Sequence, residues 1–426
     1  MTAPQDEPVR RVRRSDRIAA VVDVPGSKSI ANRALACAGV ADGTSTLTNL
    51  PDGDDTSALA RAVATLGVPI SLERGRAVID GRGTDWPEAT LHAGLAGTTS
   101  RFLTALVALA GRPITVDGDP PLRARPFGPL HEALVQMGVT VTPAEQAGHL
   151  PATITGPPLN GEVSLRGDVS SQFVSALMMI GPYVPSGLRI GLTSPLVSVP
   201  YVEMTAEVMA WFGVSGVVVG PDEITIPSGR YRSADIAVEP DASSASYPLA
   251  LAAVCGGRVT VPGLGLGALQ GDARFADLLA AMGCGVRRTA DSVTVESGAR
   301  LRGIDVDMAD VSDLVPTVAA VAACAESETR IRGVGFIRAK ESDRLGDLVG
   351  ELRTLGVDLD ETDDGLDIRP SADRLRPGRV GTHHDHRLAM AFAVLGSRIG
   401  DVEIGTPDVV SKSWPGFWDM LDAVTR

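Results

Sequence analysis

Apolar positions along the chain follow two alternating rhythms. The first is amphipathic: "ALARAVATLGV", "LHEALVQMGV", "TAEVMAWFGV", "FADLLAAMGC" and "VGELRTLGV" set large apolar residues at helical spacing and close on a glycine. Such spacing puts the apolar residues on one helix face, and glycine is favoured just past a helix end because it enters left-handed backbone without a Cβ clash. The glycines are Gly67, Gly138, Gly213, Gly283 and Gly356, so the stretch returns after 71, 75, 70 and 73 residues. A sixth copy, "GFWDMLDAV", starts on schedule but finishes with the chain, before the strand that should follow it. "RIAAVVDV" near the N-terminus is expected to supply that strand, so that both ends meet.

The second rhythm is apolar nearly all round and opens on small polar residues: "GSKSIANRALACAGV", "AGTTSRFLTALVALAG", "VSSQFVSALMMIG", "DASSASYPLALAAVCGG", "VSDLVPTVAAVAACA" and "DHRLAMAFAVLGS". Helices without a polar face are buried. Short β-branched runs such as "ITVDG", "RVTVPG" and "SVTVES" fill the gaps. The repeat reads β-α-β-α-β-β, six times over, which predicts an α/β protein of two pseudo-threefold domains. Each would hold three βαβαββ units with buried parallel helices. Solenoids need capping repeats, and none is visible, so closed domains are expected. The seam falls at "AVEPDASSA", giving a discontinuous first domain of residues 1–23 plus 240–426 and a second of 24–239, with the active-site cleft expected between them.

Composition narrows the partners. The 426 residues are 44% hydrophobic, 21% charged and 4% aromatic, as in a folded globular chain of more than one domain. No run approaches the length of a membrane span, and "MTAPQDEPVRRVRRSD" lacks the apolar core of a secretory signal. That segment is expected as a short solvated tail, and the chain as cytoplasmic. A net charge of −13 argues against nucleic acid but not against a small anion, which local cations can hold. Four scattered cysteines, Cys37, Cys255, Cys284 and Cys324, are expected as buried reduced thiols.

The chemistry gathers at the mouths of the apolar helices. Lys28, Ser29 and Arg33 open the first, Thr98, Thr99 and Arg101 the second, and Ser170, Ser171 and Gln172 the third. Asp313 opens the fifth and Arg387 the sixth. Serine and aspartate there serve as ordinary N-caps. Lysine and arginine do not suit the positive end of a helix, and their recurrence at three mouths predicts an anion between them. "VPGSKS" is no nucleotide P-loop, because Ser27 and Val22 stand where that motif needs glycines. Further cations lie in "RARPFG" (Arg123, Arg125), "IRAKESDRLGD" (Arg338, Lys340, Arg344) and "SKSW" (Lys412), although alternating charges in "KESDR" also suit a solvated face. "HHDHR" contains metal-ligand residue types, but no other cluster completes a ligand set, so no metal is expected.

Taken in order, "PGSKSIANR", "LAGTTSRF", "RARPFGPL", "DVSSQFVSAL", "SVPYVEMT", "DMADVSD", "IRAKESDRL", "DHRLAMAF" and "VSKSWPGF" resemble the 5-enolpyruvylshikimate-3-phosphate (EPSP) synthase family over nearly the whole chain. The resemblance implies an enolpyruvyl transferase-like inside-out barrel fold. It also implies transfer of the enolpyruvyl group of phosphoenolpyruvate to shikimate 3-phosphate, without cofactor or metal; a monomer is expected from the size of the chain alone. It assigns Ser170, Ser171 and Ser198 to the sugar phosphate and Arg33 to the shikimate carboxylate. Lys28, Ser29, Gln172, Tyr201, Asp313 and Lys340 would line the same pocket. Phosphoenolpyruvate would rest on Lys28, Gly97, Arg125, Gln172, Arg344, Arg387 and Lys412. Asp313, Glu341 and Lys28 are the candidate proton carriers. Phe336 stands where some members carry an amide toward the sugar phosphate, which puts that contact in doubt.

Four rivals remain. A UDP-N-acetylglucosamine enolpyruvyl transferase would carry a cysteine in the loop that reads "PLRARPFG", and none is there. A transferase acting on a modified shikimate-like acceptor is harder to exclude. An RNA-terminal phosphate cyclase is disfavoured by the acidic balance, and a non-catalytic anion-binding scaffold has no need of Asp313 and Glu341.

Overall fold

A computed structural model of the chain describes residues 8–298 and 300–425. The chain divides into two compact units, a discontinuous one of Met1–Pro25 with Pro240–Arg426 and a continuous one of Gly26–Glu239. Among the described residues each contains three sheets. In the continuous unit Ala89–His92 runs parallel to Ile114–Asp117, which lies antiparallel to Ala152–Thr155, itself antiparallel to Thr140–Pro143. A parallel pair cannot be joined by a tight turn, and the helix Gly97–Leu106 makes the crossover. Strand alternation decides the faces: Ile114, Val116 and Ile154 are buried, while Thr115 and Thr153 share a 2.8 Å hydroxyl contact on the other side.

The same order recurs with Glu162–Leu165, Leu188–Leu192, Val218–Val219 and Glu223–Ile226. It recurs again in the discontinuous unit with Asp305–Asp307, Thr329–Arg332, Leu359–Glu361 and Leu366–Ile368. The remaining copies borrow strands. Asp42–Thr48 takes its parallel neighbour from Asp235–Ala237, at the far end of the continuous unit. Gly257–Pro262 takes its own from Ile18–Val21.

That last pairing corrects the sequence expectation. "RIAAVVDV" begins the fourth copy and does not complete the sixth. The sixth copy is finished by Val9–Val12, antiparallel to Val402–Gly405. This strand falls inside the expected tail, of which residues 1–7 lie outside the described residues. The reason is that "VRRV" is an edge strand with one buried side. Val12 is buried, while Arg10 reaches Asp422 at 2.5 Å and lies over the Trp418 ring, 5.6 Å from its centroid. The arginines on either side of Val12 hide that single apolar face from a pattern search. The two chain ends do meet, through a different strand.

The apolar helices form the cores. Ala242–Cys255, Val315–Ala322 and His386–Ile399 pack against one another in the discontinuous unit, and every residue of the first two is buried. In the continuous unit Gly97–Leu106 packs on both Lys28–Val40 and Ser171–Ile180. Small side chains permit the close approach: a Cβ added at Gly396 would stand 3.2 Å from the Val12 and Val402 side chains. The five repeat glycines carry φ of +85°, +85°, +89°, +104° and +90°, the left-handed exits that their spacing predicts. Among the described residues no helix is long and apolar enough to cross a membrane.

Val12→Asp should place an uncompensated charge against the His386–Ile399 helix and cost roughly 3 kcal/mol or more. A clear fall in the urea midpoint of the chain checks this. An unchanged midpoint would mean that Val9–Val12 contributes nothing to the sixth copy.

Candidate active site

Within the discontinuous unit the site is organised by Arg344. It is the first residue of the helix Arg344–Thr354, whose N-cap Asp343 accepts a hydrogen bond from the Gly346 amide at 3.0 Å. The side chain is 1% exposed, and three carboxylates ring its planar edge. Nε donates to Asp385 at 2.8 Å, Nη1 to Asp313 at 2.8 Å and Nη2 to Glu341 at 2.5 Å. Burial alone would ease loss of the Arg344 proton, but Asp385, Glu341 and Asp313 overcome it and hold the guanidinium more firmly charged than usual.

Each carboxylate has its own structural cause. Asp385 is the N-cap of His386–Ile399: one oxygen accepts from the Arg387 amide at 2.9 Å while the other accepts from Arg344. Asp313 follows a break in the 3-10 turn Ala309–Leu314, where Val311 leaves helical backbone at φ −130°, ψ 37°. The break lets Asp313 accept from Arg344 on one oxygen and from Arg387 at 2.6 Å on the other. Burial pushes the Asp313 carboxyl up, but Arg387, Arg344 and Lys340 together hold it well below the usual carboxylate range. Glu341 lies one turn before Arg344, and its second oxygen is 3.5 Å from the Lys412 ammonium. Burial lowers the Lys340 ammonium against the pull of Asp313, and Nζ stands 5.5 Å from the centre of the Phe336 ring.

The cations of this cluster are paired. Arg344, Arg387 and Lys412 each have a carboxylate partner within the unit. The alternating charges of "KESDR" also divide: Arg338 pairs with Asp343 and Glu361 on the surface, whereas Glu341 and Arg344 turn inward.

In the continuous unit Lys28 is the first residue of Lys28–Val40, and the Ser27 side chain accepts from the Ile30 amide at 3.4 Å. Gly26 is there because the chain passes close by: a Cβ would fall 1.7 Å from the Asn49 carbonyl oxygen. Lys28 Nζ lies 3.2 Å from Asp55, and the Asp55 carbonyl accepts from the Thr99 hydroxyl at 2.9 Å. Two residues before Thr99, a Cβ on Gly97 would meet Arg125 Nη1 at 2.7 Å. Arg123 donates from Nε and Nη2 to the two oxygens of Asp117, fixing the turn that carries Arg125.

Two of the helix-mouth cations are buried in the framework of the unit. Arg101 is buried, donates to the Gly97 carbonyl at 3.1 Å and lies 4.2 Å from the centre of the Phe127 ring, so it braces its own helix. Arg33 is also buried. It donates to Thr205 at 2.7 Å, to the Ser29 carbonyl at 2.9 Å, and to Ser175 and the Tyr201 carbonyl at 3.1 Å each. Burial lowers its pKa to about 10. Arg33 therefore ties together the segments that carry Ser29 and Tyr201. Ser170 caps Ser171–Ile180 by accepting from the Gln172 amide at 3.3 Å, and Ser171 is buried. Ser198, at φ 56°, ψ 46°, occupies left-handed backbone just before Val199–Trp211.

Sequence reasoning missed Asp55, Thr205, Ser175 and Asp272. Nothing local marks the first three, which are defined by partners far along the chain. Asp385 stands directly before an apolar helix, where an aspartate suits an N-cap. Among the described residues no group of three or more His, Cys, Asp or Glu is placed to hold a metal ion. Cys37, Cys255 and Cys284 are buried and Cys324 nearly so, all as free thiols, and burial pushes Cys37 up to about 12.

Asp272 is buried against the Ser243 hydroxyl, and burial, then the charge of Asp313, raises its carboxyl to about 6. A carboxyl raised above its unfolded value destabilises the folded chain at neutral pH, and that cost fades as pH falls from about 6 toward about 4. Asp272→Asn should remove the effect. The difference in unfolding free energy between variant and wild type should shift by about 2 kcal/mol between acidic and neutral pH. A constant difference would show that Asp272 is not perturbed.

The EPSP synthase (3-phosphoshikimate 1-carboxyvinyltransferase) family model matches residues 12–421. A 3-phosphoshikimate 1-carboxyvinyltransferase of Methanoculleus marisnigri is 41% identical over 415 residues, covering 96% of this chain and 98% of its own length. One from a Nostoc species is 43% identical over 413 residues, covering 95% and 97%. Among solved structures, EPSP synthase from Acinetobacter baumannii matches with a TM-score of 0.82 at 25% identity over 98% of both chains. The enolpyruvyl transferase NikO of Streptomyces tendae matches with a TM-score of 0.78 at 20% identity over 98% of this chain and 97% of its own, a likeness of fold alone.

Proposed function

The chain belongs to the EPSP synthase family of 3-phosphoshikimate 1-carboxyvinyltransferases, and on that premise we propose how its residues divide the work. The reaction moves the enolpyruvyl group of phosphoenolpyruvate to the 5-hydroxyl of shikimate 3-phosphate and releases phosphate. The methylene carbon gains a proton, the hydroxyl oxygen bonds to C2 as it loses its own, and a tetrahedral intermediate forms. Loss of phosphate and of a methyl proton then restores the double bond. Such chemistry calls for proton carriers and firm positioning of two anions.

The observation that carries the reading is the Asp313 carboxylate shared by Arg344 and Arg387, with Glu341 alongside. An anion-binding scaffold would gain nothing from carboxylates that compete with its ligand. In an enzyme they are the bases. Held by two guanidiniums, Asp313 is ionised but weakly basic. When the anions of phosphoenolpyruvate draw Arg344, Arg387 and Lys412 toward themselves, Asp313 loses part of the charge that depresses it and gains basicity where the acceptor hydroxyl arrives. Glu341 carries the proton of the methylene carbon, and Lys28 assists at the phosphate.

Arg125, with Gly97 and Gln172, completes the phosphoenolpyruvate set. Guanidinium forks match carboxylate and phosphate better than a lone ammonium. Ser170, Ser171 and Ser198 take the sugar phosphate at helix starts and Arg33 the shikimate carboxylate, while Ser29, Tyr201 and Lys340 line the same pocket. Phe336 leaves Lys340 beside an aromatic face where an amide would have added a polar contact. The chain works as a cytoplasmic monomer on small anions, with no nucleic-acid or membrane partner.

Phosphate release tests the reading: it should require phosphoenolpyruvate and shikimate 3-phosphate together, and stop when the latter is omitted or exchanged for UDP-N-acetylglucosamine. Turnover with the nucleotide sugar instead would overturn it.

Gly97→Ala puts a methyl group against Arg125. It should raise KM for phosphoenolpyruvate roughly tenfold, as expected for disturbing one charge-assisted contact, and leave KM for the sugar phosphate nearly unchanged. Arg125→Ala should show the same selectivity with a larger effect. Equal changes for both substrates would mean that Arg125 serves neither one in particular.

A further inference from the structure

Five residues, 381–385, join the strand Arg379–Val380 to the helix His386–Ile399. Two of them, His383 at φ 49° and His384 at φ 58°, occupy left-handed backbone although neither is glycine. Side chains rarely adopt that conformation unless the surroundings impose it. Here the restraint is visible. His383 Nε2 lies 2.7 Å from Glu351, and Nδ1 lies 3.3 Å from Asp347. These carboxylates are four residues apart on one face of the Arg344–Thr354 helix. Both ring nitrogens can donate only in the imidazolium form.

The turn is fastened to the same helix a second time, since Asp385 accepts from Arg344 Nε and caps the helix that presents Arg387. His383 thus acts on the charged cluster without touching it. The charges facing its ring are Glu351 and Asp347 from the helix and Asp385 from its own turn, with Asp343 acting through Asp347.

We propose that His383 is a positioning residue for phosphoenolpyruvate binding: it clamps the turn 381–385 onto the Arg344–Thr354 helix and so fixes Asp385 and Arg387 with respect to Arg344. The kinetic part rests on the function proposed above. Glu351 raises the pKa of His383 above its ordinary value, against the effect of burial. A raised histidine contributes its full anchoring below the unfolded value, and that anchoring is lost as pH rises through the folded value.

Two measurements test the clamp, one of them independent of activity. The His383 ring, followed by NMR in the whole chain, should titrate above about 6.5, and Glu351→Gln should bring it down. In steady-state kinetics, wild-type KM for phosphoenolpyruvate should climb as pH passes the His383 value. His383→Ala should raise that KM about fivefold at lower pH and abolish the climb, with kcat and KM for shikimate 3-phosphate little changed. His383→Arg should keep KM low on both sides of the transition.

A ring titrating at or below its ordinary value overturns the clamp, and so does a His383→Ala enzyme that keeps the wild-type pH profile. If His383→Ala does not fold, Glu351→Gln takes its place: an unshifted His383 titration and an unchanged KM profile in that variant overturn the clamp equally. A wild-type chain inert toward phosphoenolpyruvate overturns the functional reading and the positioning role with it, while the titration still decides the clamp.

Discussion

Arg344 carries a full charge almost wholly withdrawn from water. For a bare ion that withdrawal costs on the order of 20 kcal/mol. Three carboxylates offset it, and each is delivered by a different piece of chain: Glu341 from the preceding turn, Asp313 from a broken 3-10 turn, Asp385 from a helix cap. These segments have to meet within hydrogen-bond distance of one planar group, which sets strict limits on how the second and third copies of the discontinuous unit pack. Apolar side chains of similar size would often be as stable as such a buried ion network. Its presence is therefore better explained by function than by stability.

The two units hold their cations differently. In the discontinuous unit Arg344, Arg387 and Lys412 are each paired with a carboxylate. In the continuous unit the buried Arg33 and Arg101 donate to hydroxyls and backbone carbonyls instead. A net charge of −13 does not cancel such a local group of guanidiniums, because distant surface carboxylates are screened within about 10 Å.

Much of the fold could be read from the chain because its signals are local. The glycine after each amphipathic helix is required by positive φ, and the all-round apolar helices had to be buried; both periods survive intact in the structure. Val9–Val12 was not readable, since an edge strand needs only one buried side and its arginines mask Val12. The members of the charged cluster could be picked out as residue types at helix mouths. Their mutual pairing could not, because Asp313, Glu341, Arg344, Asp385 and Arg387 are brought together by tertiary packing. Arg33 shows the same limit: its hydrogen bonds to Thr205 and Ser175, far along the chain, could not be read from its place at a helix mouth.

The restrained guanidinium of Arg344 is the feature on which the site depends, and nitrogen-resolved NMR of the free chain observes it directly. Clamped on three edges, the group should give separate, slowly exchanging signals for its two terminal nitrogens. A single averaged signal with protons exchanging freely with water would show that the carboxylates do not hold it, and the account would fail at its centre.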